Sequence, residues 1–119
     1  MPIINPINQE QEQQVIVATN NFIALASDQL GHTFKLIPVL FDLKGKAAGM
    51  YKIKRSQPVI RYNPYLFARY FDENIATTVP HEVAHYIVDQ VYGMQRTKAH
   101  GKEWRTVMAL FNADASVTC

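Results

Sequence analysis

The chain contains 119 residues, of which 48% are hydrophobic and 18% are charged, and its formal net charge is +2. This composition excludes disordered and collagen-like chains, and the length suits one domain over residues 1–119. No apolar run approaches the roughly 20 residues of a transmembrane helix, and the single cysteine, Cys119, excludes an internal disulfide. The N-terminus also lacks the pattern of a secretory signal, so we expect a cytoplasmic protein, with the nucleoid as a further location. We further expect a monomer that does not contact membranes.

The first half of the chain predicts one long helix followed by short strands. Asn8 and Gln11 have the spacing of a capping box, and apolar residues then recur at helical intervals up to Leu30, before Gly31. Extended segments follow at 33–40, 50–54 and 59–62, separated by glycine and proline. Together they predict a small, mostly antiparallel sheet of about three strands, with Pro38 favouring an edge or a strand end.

The second half predicts two more helices of functional interest. After a short helix or turn at 65–71, a long helix is expected from Asp72, as its cap, to Tyr92, with Gly93 as its stop. Pro80 lies inside this helix and predicts a kink or a new start near Val79. A polar, basic loop over 93–100 leads to a last helix over 101–111, whose apolar stripe is Trp104, Val107, Met108 and Phe111. The fold class is therefore α+β.

Two segments of the chain are strongly basic. Residues 44–61 contain six basic residues and no acidic one, and residues 96–105 carry a net charge of +3. Such segments either attract a phosphate-bearing partner or form ordinary solvated loops, and the charge pattern alone leaves both interpretations open. The candidate nucleic-acid-binding residues are Lys44, Lys46, Lys52, Lys54, Arg55, Arg61, Arg96 and Lys98.

The motif His-Glu-Val-Ala-His at residues 81–85 predicts a zinc site. His81 and His85 lie one helical turn apart, so both imidazoles can reach one ion. Two neutral imidazoles leave coordination positions open, and the intervening Glu82 is placed to take a proton from water as the catalytic base. We expect the helix to bury Val83, Ala84, Ile87 and Val91, which leaves the two histidines at the edge of the core.

A catalytic zinc site normally has three protein ligands. His100, at the entry to the last helix, is the favoured third ligand, and Glu103 is the alternative. Asp89, four residues after His85, is a candidate for orienting the His85 imidazole. An oxyanion donor is also expected, for which the sequence offers Tyr51, Arg61 and Tyr62 without choosing among them.

Taken together, these motifs resemble the SprT-like family of zinc metallopeptidases, which includes the eukaryotic protease Spartan. The likeness rests on the run Val79–Tyr86, on His-Gly-Lys-Glu-Trp at 100–104, and on the upstream segments 47–49 and 60–64. The spacing of the second motif after the first is the specific feature. The resemblance implies a compact zincin-like domain, with one zinc ion held by His81, His85 and His100, and with Glu82 as catalytic acid and base.

In Spartan-like members the family also implies DNA-stimulated cleavage of proteins crosslinked to DNA. Many bacterial members carry a C-terminal zinc ribbon with paired cysteines, and we expect that ribbon to be absent here, since Cys119 has no cysteine to pair with. Two functional hypotheses follow. The first is a zinc peptidase with a protein substrate, acting on DNA-associated proteins through the basic loops. The second is a DNA-associated binding module in which zinc is mainly structural.

Overall fold

A computed structural model describes residues 5–116, so the prediction about Cys119 and the N-terminal four residues lie outside the described part of the chain. The helices are α1 (Gln9–Leu30), α2 (Pro64–Arg69), α3 (Phe71–Tyr92) and α4 (Lys102–Leu110), with a short 3-10 turn at Met94–Arg96. The strands are β1 (Val39–Leu40), β2 (Gly49–Lys54) and β3 (Gln57–Tyr62). The predicted α+β class is confirmed. Among the described residues, none of the helices has both the length and the apolar character that a bilayer crossing requires.

Helix α1 begins and ends as its sequence predicts. The side chain of Asn8 accepts a hydrogen bond from the backbone of Gln11, whose own side chain bonds back to Asn8. At the other end, Gly31 adopts φ +62°, and its N–H bonds to the carbonyl of Ser27. The buried side of the helix also contains the polar Thr19, whose hydroxyl lies 2.8 Å from that of Tyr62. A polar residue thus joins this helix to the sheet.

The sheet has the strand order β1-β3-β2, with β3 in the centre. Strand β2 pairs with β3 in antiparallel register from Gly49 opposite Tyr62 to Lys54 opposite Gln57, whereas the short β1 pairs with β3 in parallel. The predicted strand over 33–40 is wrong for its first six residues. Phe34 and Ile37 are buried, and the carbonyl of Lys35 accepts a hydrogen bond from Tyr86 of α3, so the apolar pattern there reflects packing onto a helix.

Helix α3 is the central element of the core, and it differs from its prediction at three places. It begins at Phe71, so Asp72 does not cap the helix as predicted. Asp72 lies in the first turn, where its negative charge interacts favourably with the helix dipole. The helix continues through Pro80 with no new start near Val79, because its buried residues from Asn74 to Val88 hold it on both sides of the missing N–H, and the kink at Pro80 stays a prediction. Val91 is exposed and Val88 is buried, so the buried stripe ends one turn earlier than the sequence predicts.

Strand β2 lies along α3 and runs in the same direction. Its first residue, Gly49, abuts Thr78 and Glu82, and the Tyr51 hydroxyl reaches Asp89. The β3 edge of this strand is paired, while its other edge is open, because β2 is an outer strand of the sheet. Helix α4 packs on α3 through the predicted stripe, all four residues of which are buried. These contacts place the open edge of β2 on one side of the His-Glu-x-x-His turn and the start of α4 on the other.

Candidate metal centre

Three imidazoles converge at the middle of α3. The Nε2 atom of His100 lies 3.0 Å from Nε2 of His81 and 3.1 Å from Nε2 of His85. All three rings are half-buried, and their ligand atoms lie within 4.8 Å of one another. Among the described residues, this is the group of metal-ligating side chains that fits one ion.

The donor set itself indicates a cation. Around a tetrahedral zinc ion with bonds of about 2.0–2.1 Å, ligand nitrogens lie about 3.3 Å apart, close to the two distances observed. A neutral imidazole nitrogen either donates or accepts one hydrogen bond, so the single Nε2 of His100 is poorly satisfied by two other nitrogens. A cation between the three atoms satisfies them together, and three imidazoles with room for further ligands suit zinc.

The local backbone explains how His100 reaches α3. His100 has φ +61°, a left-handed conformation that turns the chain back towards the helix. The next residue closes this turn with a 3.0 Å hydrogen bond from the Gly101 N–H to the Lys98 carbonyl. A Cβ on Gly101 would lie 3.0 Å from that carbonyl oxygen, so a glycine suits this position. Glu103, the alternative third ligand, does not belong to the cluster.

Trp104 forms the wall behind the three histidines. It is 1% exposed, and its ring centroid lies 4.9, 5.8 and 4.7 Å from those of His81, His85 and His100. Its indole N–H donates to the backbone carbonyl of His81 at 3.2 Å. The packing role expected for Trp104 is therefore observed, and this residue holds the entry of α4 against the centre of α3.

Burial keeps two of the imidazoles neutral. It lowers the pKa of His81 to about 4, with a further contribution from the neighbouring His100. Burial also lowers the pKa of His85 to about 4, with His81 and His100 as additional causes. A metal ligand must be unprotonated, so these rings are ready to bind an ion at neutral pH without first losing a proton.

Glu82 is buried beside the cluster. It is 6% exposed, and its Oε2 atom lies 3.9 Å from Nε2 of His81. Burial raises the pKa of Glu82 to about 8, against the opposing effect of a hydrogen bond from the backbone N–H of Tyr51. In the metal-free protein, the pKa of this carboxyl group thus lies well above that of an exposed glutamate.

The motif opens into a cleft of about 510 Å³ between α3 and the start of β2. Residues absent from the predicted site shape this cleft. A Cβ on Gly49 would lie 2.8 Å from Cγ2 of Thr78 and 2.9 Å from Cγ of Glu82, so only glycine fits there without a shift. Asp114 and Ser116, which follow α4, contribute to the wall. The sequence signal for Gly49 lay in the segment 47–49 that supports the family resemblance, whereas no signal marked Asp114 or Ser116.

The other predicted site residues have partners of their own. The carboxylate of Asp89 accepts hydrogen bonds from the Tyr51 hydroxyl at 2.6 Å and from the Met94 N–H at 3.0 Å. No bond from His85 to Asp89 occurs among the hydrogen bonds of residues 5–116, so orientation of His85 by Asp89 stays a prediction. Of the oxyanion candidates, Tyr51 donates to Asp89, Tyr62 is buried against Thr19, and Arg61 pairs with Asp42 at 2.7 Å. The structure favours none of the three.

The predicted nucleic-acid-binding residues occupy different surfaces. Lys46 lines the cleft. Lys52 and Lys54 alternate with the buried Tyr51 and therefore lie on the sheet face away from α3. Arg61 forms an ion pair with Asp42, and the hydrogen bond between them is the main cause of the lowered pKa of Asp42. The exposed members of the set are Lys44, Lys46, Lys54, Arg55, Arg96 and Lys98.

Comparison with known proteins gives one consistent result. The model of the SprT-like family matches residues 19–118. Protein SprT of Vibrio parahaemolyticus is 41% identical over 97 residues, which cover 81% of this chain and 56% of that protein. Protein SprT of Vibrio atlanticus is 36% identical over 109 residues, which cover 91% of this chain and 63% of that protein. Protein SprT of Pasteurella multocida is 40% identical over 86 residues, which cover 72% of this chain and 50% of that protein. The chain thus spans roughly half to two-thirds of these curated relatives. No solved structure matches it at a significant level.

Proposed function

Because the chain belongs to the SprT-like family, we propose that it is a zinc-dependent metallopeptidase that hydrolyses peptide bonds in proteins. The observation that carries this proposal is the convergence of three imidazole Nε2 atoms beside a buried carboxyl group, at the mouth of a cleft. His81, His85 and His100 would hold one zinc ion. A purely structural site needs no such carboxyl group, so Glu82 favours catalysis over the alternative of a zinc-binding module.

The residues divide the chemistry between them. Zinc supplies Lewis acidity, which polarises a peptide carbonyl and lowers the pKa of a water molecule. Glu82 holds the proton that water gives up and then returns it to the leaving amine. Its carboxylate lies beside β2, where Gly49 leaves room for it at the start of the strand. Trp104 and the half-burial of the three rings limit the access of water from behind.

The open edge of β2 suits an extended protein substrate. The Asn63 N–H bonds to the Ala48 carbonyl, so alternate residues of β2 face β3. The backbone groups of Gly49, Tyr51 and Ile53 therefore point to the open edge, and that of Tyr51 meets Glu82. A peptide that pairs with this edge would pass along the cleft. Backbone pairing tolerates many sequences, and we propose a protein substrate without a strict consensus.

The test is the variant Glu82→Gln, which keeps the shape of the side chain but cannot accept a proton. We expect it to bind zinc within about threefold of the parent and to lose at least a hundredfold in cleavage of an unfolded protein substrate. Zinc content measured on the purified variant controls for loss of the ion, and His100→Ala serves as the variant with weakened zinc binding. Cleavage by Glu82→Gln at the rate of the parent would disprove the mechanism.

DNA-associated proteins, including proteins crosslinked to DNA, are the substrate class we propose. Strand β2 and α3 run alongside in the same direction, so the turn after β2 and the loop after α3 emerge at the same end of the molecule. Lys54 and Arg55 lie in or beside that turn, and Arg96 and Lys98 lie in that loop. Lys54 and Arg55 of the first basic segment therefore lie towards the same end of the molecule as Arg96 and Lys98 of the second. This arrangement supports recruitment of the peptidase by DNA phosphates.

A further inference from the structure

The segment that delivers His100 is held by few contacts. Residues 93–99 connect α3 to His100, and none of their side chains is buried. A small cavity of about 70 Å³ lies beneath the segment, between Met94, Thr97 and Ala99 on one side and His85, Val88 and Trp104 on the other. Because little apolar packing fixes this segment, its position depends on a few hydrogen bonds at its ends.

Asp89 provides the anchor at the first end. Its backbone carbonyl accepts the Gly93 N–H at 2.9 Å, which ends α3, and its Oδ1 atom accepts the Met94 N–H at 3.0 Å. The other hydrogen bonds of residues 93–99 in the described chain join the segment to itself or to Gly101. The Asp89 side chain is thus the side chain that ties the segment to α3.

Tyr51 in turn fixes the Asp89 carboxylate. Its hydroxyl donates to Oδ2 at 2.6 Å, and its ring is buried, packed 5.9 Å from that of Tyr86. The two oxygens of Asp89 therefore have separate tasks, one towards the edge strand and one towards the segment. The anchor of the third ligand is therefore tied to the same strand whose first residue, Gly49, abuts Glu82.

We propose that Asp89 is a positioning residue for the zinc ligand His100, acting through the Met94 N–H, and that Tyr51 holds it in place. The inference rests on the zinc site of the proposed function and adds a residue that touches neither zinc nor substrate. It differs from the expectation that Asp89 orients His85. Either role of Asp89 predicts that its removal weakens zinc binding. Only positioning of His100 predicts that the loss disappears when His100 itself is absent.

The experiment is a double-mutant cycle read by zinc affinity. Four proteins are compared by competition with chromophoric chelators of graded affinity: the parent, Asp89→Ala, His100→Ala and the double variant. Partners that hold a metal ligand typically contribute 10–100-fold in affinity, so Asp89→Ala should raise the zinc Kd at least tenfold in the parent and less than twofold in the His100→Ala background. An unchanged Kd in the parent background, or the same factor in both backgrounds, would overturn the proposal; the latter would assign the effect to His85 or to the fold as a whole.

Matched variants separate positioning from general damage. Asp28→Ala removes an exposed aspartate of α1 and should leave the zinc Kd unchanged. Tyr51→Phe keeps the buried ring and should raise the Kd a few-fold in the parent, but not in the Asp89→Ala background. In the metal-free protein, the imidazole NMR signals of His100 should shift or broaden most in Asp89→Ala, with smaller changes at His81 and His85, whose rings lie 4.8 Å from that of His100. Disturbance of the His85 signal alone would refute the inference, whereas failure of peptidase activity would not affect any of these zinc and NMR readouts.

Discussion

At the scale of single residues, burial determines what Glu82 can do. An exposed glutamate is ionised at neutral pH, and a carboxyl group with an ordinary pKa is a weak general base. The position of Glu82 between α3 and the start of β2 removes it from water and raises its pKa to about 8. The same burial has a cost for folding, because the charged form is destabilised relative to the unfolded chain.

That cost gives a pH prediction for the metal-free protein. Between pH 4.5, the ordinary pKa, and about 8, the folded state holds more protons at Glu82 than the unfolded state does, so stability falls as pH rises through this window. Glu82→Gln stays neutral throughout. The free energy of unfolding of the parent, relative to this variant, should therefore decrease from pH 5 to pH 8, with each unit of pKa difference worth about 1.4 kcal/mol.

Urea unfolding in the presence of a chelator, at several pH values, measures this difference. The lowered pKa values of His81 and His85 act in the opposite direction, since the stability they confer is lost as pH falls from 6.5 towards 4. That contribution is common to both proteins and cancels in the comparison. A difference between parent and variant that does not change with pH would show that Glu82 keeps an ordinary pKa.

Gly49 permits the close approach of β2 to Glu82. In Gly49→Ala the new methyl would meet Thr78 and Glu82 at 2.8 and 2.9 Å, so the strand or the carboxyl group must move. Overpacking of this kind costs about 1–3 kcal/mol, and a displaced base reduces catalysis strongly. We expect the stability loss together with at least a tenfold drop in kcat, while the zinc Kd stays within threefold of the parent.

Thr78→Ser is the matched second change, since it removes the methyl group that the Cβ added by Gly49→Ala would touch and keeps the hydroxyl that bonds to Asn74 at 2.6 Å. Combined with Gly49→Ala, it should restore part of the stability but little of the activity, because the contact with Glu82 remains. Full activity in the Gly49→Ala protein would mean that the base tolerates a displaced strand.

At the scale of elements, the turn between β2 and β3 is strained. Arg55 and Ser56 have φ of 51° and 66°, the left-handed values that a two-residue hairpin turn needs and that asparagine and glycine adopt most easily. Each non-glycine residue in this region costs about 1–2 kcal/mol. Keeping these two residues at its tip therefore lowers the stability of the hairpin.

Ser56→Gly should relieve that strain. Since glycine also increases the entropy of the unfolded chain, we expect a net gain of about 0.5–1 kcal/mol in the free energy of unfolding, measured with urea. Ala109→Gly, an exposed position within α4, is the control with the opposite sign and should lose about 0.5–1 kcal/mol. A destabilised Ser56→Gly protein would indicate that the serine hydroxyl has a role at the turn.

At the scale of the whole molecule, the shared direction of β2 and α3 carries the end of the first basic segment towards the side where the second begins. Lys54, Arg55, Arg96 and Lys98 lie towards the end of the molecule where α3 finishes, whereas Lys46 lines the cleft beside Glu73 and Thr77, near the start of that helix. Arg69 lies at the other end of this helix, roughly 30 Å away for 22 residues at 1.5 Å each. The structure thus offers a matched pair of basic sites for testing the DNA proposal.

We expect DNA binding that weakens steeply with salt. Lys54→Glu combined with Arg55→Glu should lower the affinity and reduce the slope of log K against log salt by about 1.4–1.8, the value for two phosphate contacts on single or double strands. Arg69→Glu should change neither quantity. Fluorescence anisotropy with labelled oligonucleotides at several salt concentrations gives both numbers, and equal effects of the two changes would argue against a localised DNA site.

Local patterns account for most of the elements and for the core of the site. The capping box of α1, the stop at Gly31 and the apolar stripe of α4 follow from contacts within a few residues, and so they are predictable. The strand predicted at 33–38 is wrong because its buried residues, Phe34 and Ile37, belong to an irregular segment beside α3, and an apolar pattern of this kind does not require a paired strand. The burial predicted for Val91 is wrong because periodicity alone does not show where a partner element ends.

The placement of His81, Glu82 and His85 on one helical turn follows from their spacing alone, because helix geometry relates residues one and four apart. The choice between His100 and Glu103 as third ligand could be made only from the tertiary structure. It depends on the left-handed backbone of His100, which turns its side chain towards α3. The neighbours of Glu82 and Asp89 required the tertiary structure too. Contacts between residues 30 or more apart, such as Gly49 with Glu82 and Tyr51 with Asp89, arise from the packing of a strand on a helix, and local periodicity does not encode that packing.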